Sequence, residues 1–157
     1  MKRILCISMF LVIGAVCFAA SLTVLVNQRD TSGTTVFENT RLFEDGLINY
    51  FFETGSIVSN EPVCLDSEYK GAFQSALDAS KTGFIDYVAV FSVSVDAATQ
   101  SITGVEWNLI HVKSGELLEK GIITAPEMKN TEEMQKGLIK FAEENGAVVF
   151  KAMAKKR

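Results

Sequence analysis

Residues with chemically reactive side chains are few in this chain, and they are scattered. The one histidine is His111, which lies between two apolar residues, and only one cysteine, Cys64, lies beyond the first 20 residues. Neighbouring carboxylates occur at Glu44–Asp45 and at Glu132–Glu133. A zinc site needs three or four His, Cys or carboxylate ligands, and acid–base catalysis needs groups that converge on one substrate. We therefore predict no catalytic residue, no metal site and no cofactor.

Motifs of familiar reactions are also missing from the sequence. There is no Gly-x-Ser-x-Gly elbow, His-Glu-x-x-His pair, phosphate-binding glycine loop or Cys-x-x-Cys. Both acidic pairs fall on predicted helix surfaces, where paired charges usually face water. The sequence favours a non-enzymatic protein. The alternative is a small hydrolase or ligand-binding protein whose site is assembled from dispersed carboxylates.

The amino terminus has the order of a secretory signal peptide. Met1-Lys2-Arg3 precedes an apolar run from Ile4 to Phe18, which ends at the small residues Ala19-Ala20. We predict cleavage after Ala19, so that residues 1–19 are a signal peptide and residues 20–157 form a single domain in the periplasm. The apolar run also approaches the minimum length of a membrane-spanning helix, and an uncleaved membrane anchor is therefore the alternative.

Cleavage would change both the charge and the cysteine content of the protein. It would leave 13 of the 15 lysines and arginines against 19 acids, a net charge of −6. This sign argues against a nucleic-acid partner, because such binding depends on cationic contacts to phosphate. Only Cys64 would remain, so an internal disulfide is impossible. We predict a buried, inert thiol, with an intermolecular bridge as the alternative.

The longest regular pattern is a meander of three β-strands. Asp86 to Asp96 is rich in β-branched and aromatic residues and alternates in its second half. A polar turn separates it from a second strand, Ile102 to Lys113, and Ser114-Gly115 leads to a third, Glu116 to Ala125. These three strands form the predicted centre of the fold.

The other predicted elements surround this meander. A short strand, Ser21 to Val26, precedes a helix that starts near Thr40 and ends near Gly55; a brief strand then covers Ile57–Asn60. A second helix runs from about Ser67 to Lys81, and a capping box at Asn130–Glu133 opens a third, which Asn145-Gly146 is expected to kink or split. The predicted fold class is α/β, an α+β sandwich. Its mixed sheet has about five strands, and its three helices pack mainly on one face.

The first half of the leading strand is apolar on both faces, because Tyr87, Ala89 and Phe91 alternate with Val88 and Val90. If the helices cover mainly one face, part of the other is left for a partner. The expected partner-binding surface comprises Val88, Val90, Trp107 and Ile110. The alternative is that loops and the amino-terminal segment cover this face.

The chain ends in basic residues, Lys151, Lys155, Lys156 and Arg157. Cations at a helix carboxyl terminus compensate the helix dipole, which is the simplest interpretation. Contact with an anionic surface is the alternative, and it would associate the protein peripherally with the membrane or cell wall.

The order of elements and two phrases, Asp86 to Val95 and Trp107 to Leu118, resemble the amino-terminal domain of TolB and the related periplasmic domains of CsgG and LpoB. The resemblance spans about Ser21 to Ala154. It implies an α/β sandwich that binds or scaffolds other envelope proteins, or associates with itself, as an assembly subunit or an activator of an envelope machine. No catalytic residue is carried over. The chain departs from these relatives in lacking TolB's propeller, a clear lipid-attachment cysteine and pore-forming strands.

Overall fold

The computed structural model describes residues 20–29, 34–126 and 131–155. Its elements are, in chain order, β1 (Ser21–Arg29), α1 (Glu38–Glu53), β2 (Ile57–Asn60), β3 (Cys64–Leu65), α2 (Tyr69–Thr82), β4 (Tyr87–Asp96), β5 (Ser101–His111), β6 (Glu116–Thr124) and α3 (Thr131–Lys155). Three helices on a six-stranded mixed sheet confirm the predicted fold class. The predicted signal peptide and residue 130 of the capping box lie outside the described residues.

The strands are ordered β2-β1-β4-β5-β6, and β3 pairs with β1 beyond the end of β2. Strand β1 is parallel to β2 and to β4, whereas β4, β5 and β6 form the predicted antiparallel meander. Strands β1, β2 and β4 therefore begin at the same end of the sheet, where the β5–β6 turn also lies. We call it the strand-start end.

Helices α1 and α3 cover one face of the sheet. Between them and the strands lies the larger core, whose centre is aromatic. The ring of Phe43 on α1 lies 6.2 Å from that of Phe91 on β4 and 5.8 Å from that of Phe141 on α3. Such edge-to-face and tilted pairs add to the stabilisation from apolar burial. This core fixes α1 and α3 on the meander.

Helix α2 covers part of the opposite face. Its apolar side chains pack on a second, smaller core that includes Leu25, Val88, Val90 and Ile110. From β1 the chain runs through α1 to β2, which lies on one side of β1. It then crosses back through α2 to β4, which lies on the other side of β1. Because parallel crossovers are right-handed, connections that run in opposite directions along the sheet place their helices on opposite faces.

Two glycines let α1 and α3 approach closely. A Cβ atom on Gly46 would lie 2.7 Å from the Cβ of Ala142, and one on Gly146 would lie 2.6 Å from Cδ1 of Tyr50. Asn145-Gly146 does not split the last helix, since α3 is continuous from Thr131 to Lys155; that the pair kinks the helix stays a prediction. Asn145 donates a 2.8 Å hydrogen bond to the Phe141 carbonyl within the helix, and the glycine faces α1.

Candidate interaction surfaces

The four residues expected to bind a partner are all buried. Val88 and Val90 are 0% exposed and Ile110 is 7% exposed, and helix α2 covers them. Trp107 is 3% exposed and belongs to the core on the other face. The structure thus brings three of the four residues together and separates the fourth. The expectation that they form an open surface requires correction, because α2 covers Val88, Val90 and Ile110, and Trp107 lies in the core beneath α1 and α3.

His111 ends β5 at the strand-start end. Its Nδ1 lies 3.0 Å from the hydroxyl oxygen of Ser114, and its ring centroid is 6.0 Å from that of Tyr87. A cleft of about 420 Å³ opens beside it, lined by Lys81, Phe84, Ile85, Asp86, His111, Val112 and Lys113. Its one carboxylate, on Asp86, accepts hydrogen bonds from the backbone N–H and hydroxyl of Ser21 at 3.3 and 2.7 Å. The cleft therefore combines apolar walls with two lysines.

Cys64 is buried, as predicted. Its Sγ lies 3.7 Å from the Val26 carbonyl oxygen, and burial raises the pKa of the thiol to about 11. Since the thiolate is the reactive form, this cysteine is inert near neutral pH. Among the described residues, no three or more His, Cys, Asp or Glu side chains are grouped closely enough to hold a metal ion. No helix in the described ranges is long and apolar enough to span a membrane.

Glu44 differs from the prediction that both acidic pairs lie on helix surfaces. It is 8% exposed, and its Oε1 accepts a 3.2 Å hydrogen bond from Nδ2 of Asn60. Loss of solvent raises the pKa of this carboxyl above its usual value, although the hydrogen bond from Asn60 opposes the rise. Asp45 is exposed as predicted, and the side chains of residues 132 and 133 lie outside the description.

We expect Glu44→Gln to stabilise the fold at pH 7 and to have no stabilising effect at pH 3. A folded-state pKa above the unfolded value favours folding at low pH, and the advantage is lost as pH rises through the folded-state pKa. The glutamine keeps an acceptor for Asn60 without the buried charge. Urea unfolding at both pH values measures the effect, with Glu143→Gln on the exposed side of α3 as the matched control. Equal gains at pH 3 and pH 7 would contradict the assignment.

The second face of the sheet is only partly covered. Beyond α2 lies a shallow depression of about 300 Å³, which we call the open half-face; it is lined by Arg29, Ser94, Thr103, Gly104, Val105, Glu106, Ile122 and Thr124. At its rim, Ile122 of β6 is 79% exposed. Arg29 pairs with Glu106 at 2.7 Å, so these opposite charges satisfy each other within the chain. The open half-face is thus a small hollow beside a protruding aliphatic side chain.

The strand-start end carries a second group of exposed apolar residues. Phe84 is 90% exposed, Phe52 73%, Ile57 59% and Leu117 52%. Sequence reasoning did not single out Phe84 or Ile122. A signal existed for Ile122, because the adjacent Ile122 and Ile123 of one strand must face opposite sides of the sheet, and only one side is covered by α1 and α3.

The architecture defines a class: α/β modules in which an antiparallel meander extends a parallel β-α-β core. A family model with the description "Uncharacterised protein" matches residues 21–153, and the chain belongs to that family. No curated protein sequence matches this chain.

Several solved structures are similar to this chain in fold. PelC from Paraburkholderia phytofirmans, a dodecamer, is 15% identical, with a TM-score of 0.51 over 80% of this chain and 84% of PelC. The LpoB C-terminal domain from Escherichia coli is 17% identical, with a TM-score of 0.45 over 69% and 84% of the two chains. TolB from Acinetobacter baumannii is 11% identical, with a TM-score of 0.47 over 85% of this chain and 28% of TolB. The predicted resemblance to TolB and LpoB is thus confirmed as a resemblance of fold.

Proposed function

We propose that this protein is an exported, non-enzymatic interaction module of the bacterial cell envelope that assembles with a second copy of itself through the open half-face. The observation that carries the proposal is the exposure of Ile122, 79%, on a strand that pairs, within the described part of the chain, with β5 on one side only. An exposed aliphatic side chain beside a hollow can be buried when the same surface of another molecule packs against it.

The partner on the open half-face is a second copy of this chain, because the protruding Ile122 side chain and the hollow that can receive it lie on the same surface. Ile122 stands beside the hollow over Gly104, which has no side chain to fill it. Two copies related by a twofold axis can each insert Ile122 into the hollow of the other, which is the arrangement of a self-complementary dimer. The charges of Arg29 and Glu106 are already paired at 2.7 Å and need no group from the partner.

Two further observations support assembly. Among the described strands, β6 has a neighbour only in β5, so alternate backbone groups along its nine residues face outward and can pair with another strand. PelC from Paraburkholderia phytofirmans, whose fold is similar, forms a dodecamer. A chain of this architecture can therefore pack against copies of itself.

Ile122→Lys is expected to weaken self-association at least about tenfold, because the interface would then have to bury an unpaired ammonium group. Sedimentation velocity over a range of protein concentrations measures the association. Gly104→Thr, which fills the hollow without adding charge, should weaken it too. Ile139→Lys, at a 42% exposed position on α3, is the matched control and should associate like the parent. A parent that stays monomeric, or an Ile122→Lys variant that still associates, would contradict the proposal.

Export to the periplasm is the part of this proposal supported by the sequence alone. Residues 1–19 have the order of a signal peptide, and residues 20–157 would form the exported domain. Mass spectrometry of the protein from its native envelope distinguishes a mature chain that starts at Ala20 from one that retains the apolar segment as an anchor.

A small hydrolase or ligand-binding protein is the competing function. Its site would need several carboxylates with shifted pKa values in one cleft. Glu44 is the one described carboxyl group whose pKa is raised, and it packs between α1 and β2 rather than in the cleft beside His111. The distribution of acids therefore supports an interaction module over an enzyme.

A further inference from the structure

We propose that the strand-start end is a membrane-contact surface, which meets the headgroup region of a phospholipid bilayer. This surface is separate from the open half-face, and it does not depend on self-assembly. The topology explains why it exists: β1, β2 and β4 all begin here, so the ends of α1 and α2 and the β5–β6 turn converge on one end of the molecule.

Exposed apolar side chains are concentrated at this end. Seven large apolar residues are exposed in the described part of the chain, and four of them, Phe52, Ile57, Phe84 and Leu117, belong to the strand-start end. They come from different elements: the last turn of α1, the start of β2, the α2–β4 loop and the start of β6. Aromatic and aliphatic side chains presented in one region can enter the interfacial layer of a bilayer.

Phe84 is the most exposed of the four, at 90%, and it adopts a left-handed backbone conformation with φ of 55°. Glycine or asparagine would occupy this position with less strain, and a polar residue would suit the exposure better. The exposure, although not the backbone strain, is accounted for if the ring leaves water for an apolar phase.

Lysines flank the apolar group. Lys81 and Lys113 line the cleft beside Phe84, and Lys113 has no ion pair with another described residue. Lys155, in the last turn of α3, also reaches this end, where its Nζ lies 4.0 Å from Glu119. Exposed acids, among them Glu53 and Glu116, lie at the same end. The lysines next to Phe84 are therefore placed to contact lipid phosphates while the ring inserts.

The path of the chain points to the same end. Ala20, the first described residue, lies here, and its carbonyl oxygen accepts a 2.8 Å hydrogen bond from the Ile57 N–H. The residues that precede it include the apolar run from Ile4 to Phe18. If that run anchors the protein, or guides its export before cleavage, the strand-start end is the part of the domain that is nearest to the membrane.

Hydrogen–deuterium exchange of the full chain on vesicles of phosphatidylglycerol and phosphatidylethanolamine tests the proposal, with the same protein in a non-ionic detergent as reference. We expect slower exchange over residues 81–87 and 111–117 on vesicles, and unchanged exchange over residues 36–42, around the start of α1 at the other end of the sheet. Phe84→Asn should shift docking roughly tenfold toward the free state, and the pair Lys81→Gln and Lys113→Gln should weaken it further.

The controls make equivalent changes away from this end. Ile139→Asn removes a partly exposed aliphatic side chain, and the pair Lys70→Gln and Lys140→Gln removes two exposed lysines from α2 and α3. All of them should keep the parent's protection, and thermal unfolding should show every variant folded. Equal protection at both ends of the sheet would overturn the proposal. So would protection that survives loss of Phe84 and both flanking lysines.

Discussion

Trp107→Ala should lower the free energy of unfolding by about 3–5 kcal/mol, as expected for the loss of a buried aromatic side chain. Trp107 is 3% exposed and pairs with Gly121 across the β5–β6 ladder. The indole lies directly against that glycine, where an added Cβ would come within 2.7 Å of Nε1. Removing the indole leaves a cavity beneath two strands that the backbone cannot close.

Urea unfolding followed by circular dichroism measures this loss. Val148→Ala on α3 is the control, because a 39% exposed side chain away from the open half-face contributes little to stability, within about 0.5 kcal/mol. If Trp107→Ala instead left stability unchanged and abolished partner binding, Trp107 would be a docking residue after all, and its placement in the core would be wrong.

Gly46→Val should lower the free energy of unfolding by about 3 kcal/mol, the upper part of the range for overpacked cores. The Cβ position at Gly46 lies 2.7 Å from the Cβ of Ala142, and 3.4 Å from the Cα and carbonyl oxygen of Ile139 on α3. Those atoms belong to the backbone of α3 or are bonded directly to it, so they can move only if the helices separate. Separation would open the aromatic core around Phe43.

Gly71→Val is the matched control, because Gly71 lies in α2 and a Cβ added there would meet no side chain and no other element within 4 Å. The same substitution there should change stability by no more than about 0.5 kcal/mol, since valine is a slightly better helix former than glycine. Thermal and urea unfolding of both variants measure the difference. Similar stabilities for the two would show that α1 and α3 are not packed as closely as the structure places them.

The meander could be predicted from the sequence because its signals are local. Alternation in β4 and the turn residues Ser114-Gly115 indicate neighbouring antiparallel strands without knowledge of the rest of the fold. The buried thiol of Cys64 was predictable for a similar reason, since it lies between two apolar residues.

The face covered by α2 could not be predicted, because it depends on strand order. The apolar stripe of α2, which includes Tyr69, Phe73 and Ala76, is visible in the sequence, but a stripe does not say which face of a sheet it meets. That choice follows from the positions of β2 and β4 on opposite sides of β1, which only long-range pairing determines. The misplacement of Val88, Val90 and Ile110 on an open surface has this single cause.

The exposed surfaces were harder to predict than the core. Phe84 follows a helix exit and precedes an apolar strand, so its sequence neighbours suggest burial rather than 90% exposure. Glu44 is the reverse case, since it is buried where the sequence predicted exposure. Its charge suggested a helix surface, yet the edge strand β2 lies against it and Asn60 supplies a hydrogen-bond donor.

The central claim is that the open half-face packs against the same surface of a second copy. Pulsed electron paramagnetic resonance tests it directly, with spin labels on Thr103→Cys at the rim of the half-face or on Ile139→Cys on α3, in a chain whose Cys6 and Cys17 are replaced by serine. We expect a single inter-copy distance for the label at residue 103, shorter than the distance for the label at residue 139. No inter-copy coupling at residue 103, or a shorter distance at residue 139, would contradict the claim.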